Sequence, residues 1–187
     1  MTLQSRERAR RVDAIDNERR VREAAPAVFS RLGSAMTMDD VAAEAGVSKG
    51  TVYATFGSRK QLIDEMSAHF LELAADRYIK ALEAPSAWEA LLAALLTPTL
   101  GLAATAGDAL NDERPDDNVK KAFHRAEAAL SALIEKGQRE GSIRSDVSIK
   151  HLETLFRGLY LALPAYSPTF AEQAQEYGLI ILRGIHT

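Results

Sequence analysis

Apolar residues recur at intervals of three and four along most of the chain. From Val21 to Leu32, valine, alanine, phenylalanine and leucine follow this helical period, and Gly33 ends the run. Pro26 lies inside the run, where its missing N–H is expected to kink the helix. No alternation of apolar and polar residues is long enough to build a sheet. The pattern therefore predicts an all-α fold.

Signals for helix starts and ends divide the segment that follows. Thr37 to Asp40 has the pattern of a capping box that starts a second helix, and Gly46 is expected to end it in the left-handed conformation. Ser48 is expected to cap a third helix from Lys49 to about Thr55, with Gly57 as the next break. Two short helices joined by a glycine turn are therefore predicted.

Longer helices are predicted for the rest of the chain, with Pro98 as a kink and polar connections at 107–118 and 140–146. Capping patterns at Ser58 and Ser86 start two of them. The predicted helices run from Ser58 to about Glu83, Ser86 to about Thr105, Val119 to Gly137, Ser148 to Leu163 and Ser167 to about Gly184.

Composition is that of an ordinary globular protein. The 187 residues are 47% hydrophobic and 26% charged, and the absence of cysteine fits a reducing compartment. No apolar run reaches the length of a membrane span, and the N-terminus is charged where a signal peptide is apolar. A cytoplasmic protein without membrane contact is expected. The net charge is −3, with a basic excess in residues 1–60 and an acidic excess beyond them.

The predicted third helix has a composition that suits contact with DNA. Val52 and Phe56 give it one apolar face, while the rest is small and rich in hydroxyl groups. In a helix-turn-helix, the second helix docks on its own domain through one face and lies in the DNA major groove with the other. A plain helical hairpin with a glycine turn fits the same pattern, so periodicity alone leaves both interpretations open.

The stretch "TMDDVAAEAGVSKGTVYATFGSRKQLI" resembles the DNA-binding segment of the TetR/AcrR family of transcriptional regulators. The match runs without a gap and, with the preceding helix, covers about residues 20 to 66. Arg59 stands where the family usually has lysine, and Pro26 is unusual in the first helix. The matching positions are Thr37, Val41, Ala42, Ala45, Gly46, Val47, Ser48, Gly50, Thr51, Val52, Tyr53, Phe56, Ser58 and Leu62.

The resemblance implies a three-helix DNA-binding domain at 1–57, with helix 4 from residue 58 leading into a helical ligand-binding and dimerisation domain at 58–187. Tyr53 would bind a phosphate, Lys49 and Thr51 base edges, and Asp39 would use its backbone N–H. The implied DNA contacts are Thr37, Met38, Asp39, Ser48, Lys49, Gly50, Thr51, Tyr53, Ala54, Thr55 and Arg59. Arg6, Arg8, Arg10 and Arg11 form either a minor-groove arm or a charged tail.

The family also implies a homodimer on a palindromic operator and a small apolar or aromatic effector. Candidate pocket residues, each of a kind that is more often simply part of the core, are Phe70, Leu73, Trp88, Leu92, Phe123, His124, Phe156 and Tyr160. The last two helices are apolar on more than one face, which suits a dimer interface or an ordinary core. The interface candidates are Leu152, Leu155, Gly158, Tyr177, Ile180, Ile181 and Gly184.

Other classes of function have less support in the sequence. Its four histidines form no metal-binding motif, and it contains neither a phosphate loop nor a nucleophile elbow. No enzyme activity, metal or cofactor is expected. The expected function is ligand-responsive transcriptional regulation, most simply repression. The alternative is a helical protein-interaction module without specific DNA binding, which would show no steep loss of DNA affinity with salt.

Overall fold

The computed structural model describes residues 3–96, 116–163 and 170–187, with the side chains of 12–96, 116–163 and 172–187. Its regular structure is helical, apart from one isolated antiparallel bridge between Ile143 and His186 within these residues. The all-α prediction is confirmed. Residue contacts divide the chain into two compact units, Met1–Met66 and Ser67–Thr187. The first turns of the fourth helix thus belong to the first unit, where Glu65 pairs with Arg22 and Arg59 donates to Ser34 and Met36.

The first unit contains α1 (Leu3–Leu32), a 3-10 turn (Gly33–Ala35), α2 (Met38–Ala45), α3 (Lys49–Phe56) and the start of α4 (Arg59–Ala81). Helix α1 packs against both α2 and α3. Their shared core consists of fully buried side chains, among them Val21, Val28, Phe29, Val41 and Val52. The three-helix arrangement thus follows from the apolar faces read in the sequence.

Helix α1 differs from the prediction at its N-terminal end. It begins at Leu3, well before Val21, and it continues through Pro26. Arginine, glutamate and alanine favour helix without an apolar stripe, and ion pairs one turn apart reinforce it, such as those of Arg19 with Asp16 and Glu23. The backbone of the arginine-rich segment is therefore helical, which neither an extended arm nor an unstructured tail predicts.

The second unit contains the rest of α4, α5 (Ala87–Leu95), α6 (Asp117–Arg139), α7 (Ile149–Ala162) and α8 (Phe170–Arg183). Helix α5 ends at Leu95, so its predicted extension to Thr105 is wrong at that point. The expected kink at Pro98, the polar connection up to residue 115 and the cap at Ser167 lie outside the described residues. The core is formed by side chains such as Leu91, Leu95, Leu133, Leu152 and Leu182.

Two charged side chains, Lys136 in the last turn of α6 and Glu140 just after it, hold the connection between α4 and α5. The Lys136 ammonium donates to the backbone carbonyls of Leu82, at 3.0 Å, and of Ala84. One turn later, Glu140 accepts from the backbone N–H of Ala87 at 2.8 Å. A cation thus sits at the C-terminal end of α4 and an anion at the N-terminal end of α5, as the helix dipoles favour.

Within the described residues, no helix is both long and apolar enough to cross a lipid bilayer.

Candidate nucleic-acid interface

Helix α2 begins with a complete capping box. The Thr37 hydroxyl oxygen accepts from the Asp40 backbone N–H at 3.2 Å, while the Asp40 carboxylate accepts from the Thr37 backbone N–H at 2.8 Å and from its hydroxyl at 2.6 Å. The hydroxyl, and after it the N–H, hold the pKa of Asp40 below its usual range. The predicted start of α2 is confirmed, and these bonds fix the path of the chain into it.

A left-handed glycine forms the turn between α2 and α3. Gly46 ends α2 with φ 63° and ψ 41°, a conformation that costs a residue with a Cβ roughly 1–2 kcal/mol. An added Cβ would also lie 2.7 Å from the Arg20 guanidinium, which donates to the Gly46 carbonyl at 3.2 Å. The predicted role of Gly46 is confirmed, whereas the contact with Arg20 had no signal in the sequence.

Helix α3 is docked through one face and exposed through the other. Val52 and Phe56 are buried, as predicted, and the Ser48 hydroxyl accepts from the Thr51 N–H at 3.3 Å as the cap. The Thr55 hydroxyl donates to the Thr51 carbonyl at 3.1 Å. The exposed positions of this segment are Ser48, Lys49, Gly50, Tyr53 and Ala54, with Thr51 and Thr55 half-buried.

An ion pair joins the beginnings of α2 and α3. The Lys49 ammonium lies 2.7 Å from a carboxylate oxygen of Asp39, and the two side chains are 50% and 67% exposed. This hydrogen bond is the main reason that the pKa of Lys49 is raised. The pair places one donor and one acceptor side by side on the exposed surface.

Two of the candidate DNA contacts have other partners in this structure. The whole of Met38 is only 2% exposed and packs in the core of its unit, which leaves almost no surface for a ligand. The Arg59 guanidinium donates to the carbonyls of Met36 at 3.0 Å and Ser34 at 2.6 Å, which holds the connection between α1 and α2. Arg59 therefore has a structural role that a phosphate contact alone does not describe.

The candidate pocket residues of the second unit do not form a single lining. Phe156 and Tyr160 are buried in the main core, and Trp88 and Leu92 pack against it. Phe70 is buried as well, whereas Phe123 packs against a smaller cluster around Leu71. Trp88 also contacts the ring of His186, with centroids 4.3 Å apart. Leu73, 40% exposed, and His124, with a side chain 74% exposed, lie on the surface, contrary to the expected enclosed position.

Two polar groups of this unit have no signal in the sequence pattern. Burial, followed by the neighbouring Glu127, raises the pKa of Glu153. Burial also raises the pKa of Tyr78, whose side chain lies in the core. Within the described residues, no group of three or more histidine, cysteine or acidic side chains suits a metal ion.

The dimer candidates fall into buried and exposed groups. Leu152 is 1% exposed and belongs to the core of its own chain, and Ile181 also packs against that core. A Cβ on Gly184 would meet only the carbonyls of its own helix, while Gly158 has open space around it. Among the described side chains of α7 and α8, the large apolar ones that are exposed are Leu155, Leu161, Tyr177 and Ile180. Leu161 was missed among the candidates.

Solved structures with the same fold are transcriptional regulators. The TetR transcriptional regulator SCO0520 from Streptomyces coelicolor is 27% identical, with a TM-score of 0.61 over 90% of this chain and 98% of that one. The ketosteroid transcriptional regulator KstR2 of Mycobacterium tuberculosis is 22% identical, with a TM-score of 0.60 over 90% and 95%. A transcriptional regulator from Saccharomonospora viridis, solved in complex with choline, is 22% identical, with a TM-score of 0.59 over 91% and 97%. No curated protein matches the chain significantly.

Two family models match the chain in sequence. Residues 21–66 match the model of bacterial regulatory proteins of the tetR family, and these residues contain α2, the glycine turn and α3. Residues 81–187, more than half of the chain, match the C-terminal domain of SbtR-like transcriptional regulators. The chain therefore belongs to the TetR family of transcriptional regulators, which are DNA-binding transcription factors and not enzymes.

Proposed function

We propose that this regulator is a repressor that binds a palindromic operator as a homodimer and is released by a small apolar or aromatic molecule. Residues 1–57 read the DNA, α4 links the two parts, and residues 58–187 bind the effector and the second chain. A regulator that acts on bacterial operators works in the cytoplasm. The observation that carries the proposal is the division of α3 into a buried apolar face and an exposed face of small and hydroxyl-bearing residues.

The exposed face of α3 supplies the contacts to bases. Lys49 and Thr51 reach base edges, because ammonium and hydroxyl groups are hydrogen-bond donors that match the acceptors of the major groove. Gly50, where an added Cβ would meet only the Ser48 hydroxyl at 3.7 Å, lets the helix approach closely. Ala54 and the methyl group of Thr55 suit contact with a thymine methyl group.

Phosphate contacts fix the position of the head on the duplex. Tyr53 is 44% exposed and can donate its hydroxyl to a phosphate oxygen. Thr37, Met38 and Asp39 lie at the start of α2, where the positive end of the helix dipole attracts anions. Ser48 lies at the start of α3, where the helix dipole attracts anions in the same way. Any contact from Arg59 would use guanidinium N–H groups other than those that hold Ser34 and Met36.

The homodimer is supported by the outer face of α7 and α8. These two helices contact each other, yet Leu155, Leu161 and Ile180 remain 47%, 63% and 60% exposed. Large apolar side chains that remain exposed on two neighbouring helices suit an interaction site, and the same helices from a second chain would cover them. A two-fold dimer also matches an operator with two half-sites about 34–36 Å apart, or a multiple of that distance.

An effector is supported by the fold and by one structure that shares it. The Saccharomonospora viridis regulator was solved with choline, so this architecture accommodates a small molecule. In the present chain the surroundings of Phe156 and Tyr160 are largely apolar, which favours an apolar or aromatic ligand. An effector that binds better to a conformation with wrongly spaced reading heads must weaken operator binding by the same factor.

The proposal is tested by selecting duplexes from a randomised pool with the purified protein. We expect an inverted repeat to be enriched, and two chains to bind each duplex in sedimentation experiments. Tyr53→Phe removes only the hydroxyl and should weaken binding roughly 10- to 150-fold per half-site, since a hydrogen bond to a charged group contributes about 1.5–3 kcal/mol. Tyr53→Ala should weaken it further, while both variants keep the circular dichroism of the wild type.

The selected duplex then serves to find the effector, as the compound that displaces it from the protein. If no sequence is enriched and binding does not depend on salt, the helical protein-interaction module becomes the better description. If a single half-site with one chain is enriched, the dimer proposal is wrong although DNA reading is right.

A further inference from the structure

The Asp39–Lys49 pair is an unusual feature for a surface that meets DNA. Asp39 is the second residue of α2 and Lys49 is the first residue of α3, so the pair spans the two helices of the motif. The ammonium and carboxylate are 2.7 Å apart and both side chains are at least half exposed. In the free protein, the charge that α3 would offer to a phosphate is therefore already neutralised.

Fold stability gives a weak reason for this pair. Ion pairs between exposed side chains contribute about 0–1 kcal/mol, and a lysine at the start of a helix opposes the helix dipole. Next to phosphates, moreover, the Asp39 carboxylate is repelled. It therefore weakens DNA binding unless it accepts a hydrogen bond from the DNA, and the donors in the major groove are the amino groups of cytosine and adenine.

Building on the proposed operator binding, we propose that Asp39 is a specificity-determining residue, which together with Lys49 reads one G·C base pair in each half-site. The ammonium donates to guanine O6 and the carboxylate accepts from cytosine N4. These two base atoms are themselves joined by a hydrogen bond, so they are about 2.9 Å apart. The 2.7 Å between the Lys49 ammonium and the Asp39 carboxylate is close to that distance. The ammonium and the carboxylate can therefore lie alongside guanine O6 and cytosine N4.

The G·C pair fits this donor and acceptor better than an A·T pair does. A T·A pair also presents an acceptor next to a donor, thymine O4 and adenine N6. In a G·C pair, however, a second N–H of the ammonium can reach guanine N7, whereas in a T·A pair it meets the methyl group of thymine. The pair on the protein thus favours guanine under Lys49 and cytosine under Asp39.

The test compares the base preferences of variants on the operator selected for the wild type. Binding is measured to the operator, to every single-base-pair variant of one half-site and to a scrambled duplex, each over a range of salt. Asp39→Asn is nearly isosteric and removes only the negative charge. Lys49→Met removes the ammonium of the pair and leaves the Asp39 carboxylate in place. Glu44→Gln is the matched control, because Glu44 forms another exposed pair of this unit at 2.7 Å, with Arg31.

We expect Asp39→Asn to lose roughly 5-fold discrimination at one G·C position per half-site, because its neutral amide oxygen accepts a weaker hydrogen bond from cytosine N4 than the carboxylate does. Binding to the scrambled duplex should become tighter, with a salt slope steeper by about 0.9 for each bound chain as Lys49 turns to a phosphate. Lys49→Met should lose the preference for the same G·C pair, but it should not bind the scrambled duplex more tightly. Glu44→Gln should keep every base preference.

Unchanged base preferences in Asp39→Asn, a loss at an A·T position, or the same change in Glu44→Gln would overturn the inference. These outcomes differ from a failure of the proposed function, in which the wild type itself prefers no duplex. The thermal unfolding of each variant is followed by circular dichroism, and Asp39, exposed and outside the core, is expected to tolerate the change.

Discussion

Replacing Lys136 by methionine should destabilise the second unit. Methionine keeps an unbranched apolar chain but cannot donate to the carbonyls of Leu82 and Ala84, in the turn that follows α4. Hydrogen bonds from a charged donor contribute about 1.5–3 kcal/mol each, and the helix dipole adds about 0.3–1 kcal/mol. Because the Lys136 side chain is 22% exposed, solvent screens part of this electrostatic stabilisation. We expect a loss of about 2 kcal/mol in the free energy of unfolding.

The protein contains its own probe for this measurement. Trp88 is the sole tryptophan of the chain, and it follows Ala87, whose N–H is held by Glu140. Urea unfolding followed by tryptophan fluorescence therefore reports on the second unit. With a slope of about 1–3 kcal/mol per molar urea, a loss of about 2 kcal/mol lowers the midpoint by roughly 1 M.

Lys80→Met is the matched control. Lys80 belongs to the last turn of α4 itself, and its side chain is exposed. This substitution removes the same charge from the same helix end and should change the stability by less than about 0.5 kcal/mol. If both variants unfold at the same urea concentration, the contact of Lys136 with the end of α4 contributes nothing and the reasoning is wrong.

Three further predictions concern the first unit and the outer face of the second. Thr37→Ala should cost about 1 kcal/mol of helix stability, which would be measured as faster amide hydrogen exchange in α2. Thr37→Ser keeps the hydroxyl and should keep most of this stability. Equal losses in the two variants would exclude the hydroxyl as the cause. The folded-state pKa of Asp40 is lowered, so its stabilising effect is present above the unfolded value of about 3.9 and is lost as pH falls through the folded value. A carboxyl titration by NMR should show this low pKa, raised in Thr37→Ala; an ordinary pKa in the wild type would contradict it. Ile180→Arg should give a folded monomer in sedimentation, whereas Ile79→Arg, at another exposed isoleucine, should leave the dimer; an intact Ile180→Arg dimer would place the interface elsewhere.

Local signals predicted the boundaries of the helix-turn-helix well. Thr37, Gly46 and Ser48 act on backbone groups within four residues of themselves, so their roles can be read from spacing alone. The buried face of α3 followed in the same way from the helical period of Val52 and Phe56. The start of α1 could not be predicted from the apolar period, because that segment has helix-forming residues but no apolar stripe.

Contacts between residues distant in the chain could not be predicted. Asp39 meets Lys49 only because the Gly46 turn sets the angle between α2 and α3, and Arg59 reaches Ser34 and Met36 across 25 and 23 residues. Burial was also ambiguous wherever a helix has apolar residues on several sides. Leu152 and Ile180 have the same residue class and similar surroundings in sequence, yet one is 1% and the other 60% exposed.

The most direct test of the central claim is the affinity of the wild-type protein for its selected duplex and for a scrambled duplex, measured at the same salt concentrations. We predict a ratio of at least about 10³ in favour of the selected duplex, with both affinities falling steeply as salt rises. Equal affinities for the two duplexes at every salt concentration would contradict the reading of DNA by α3.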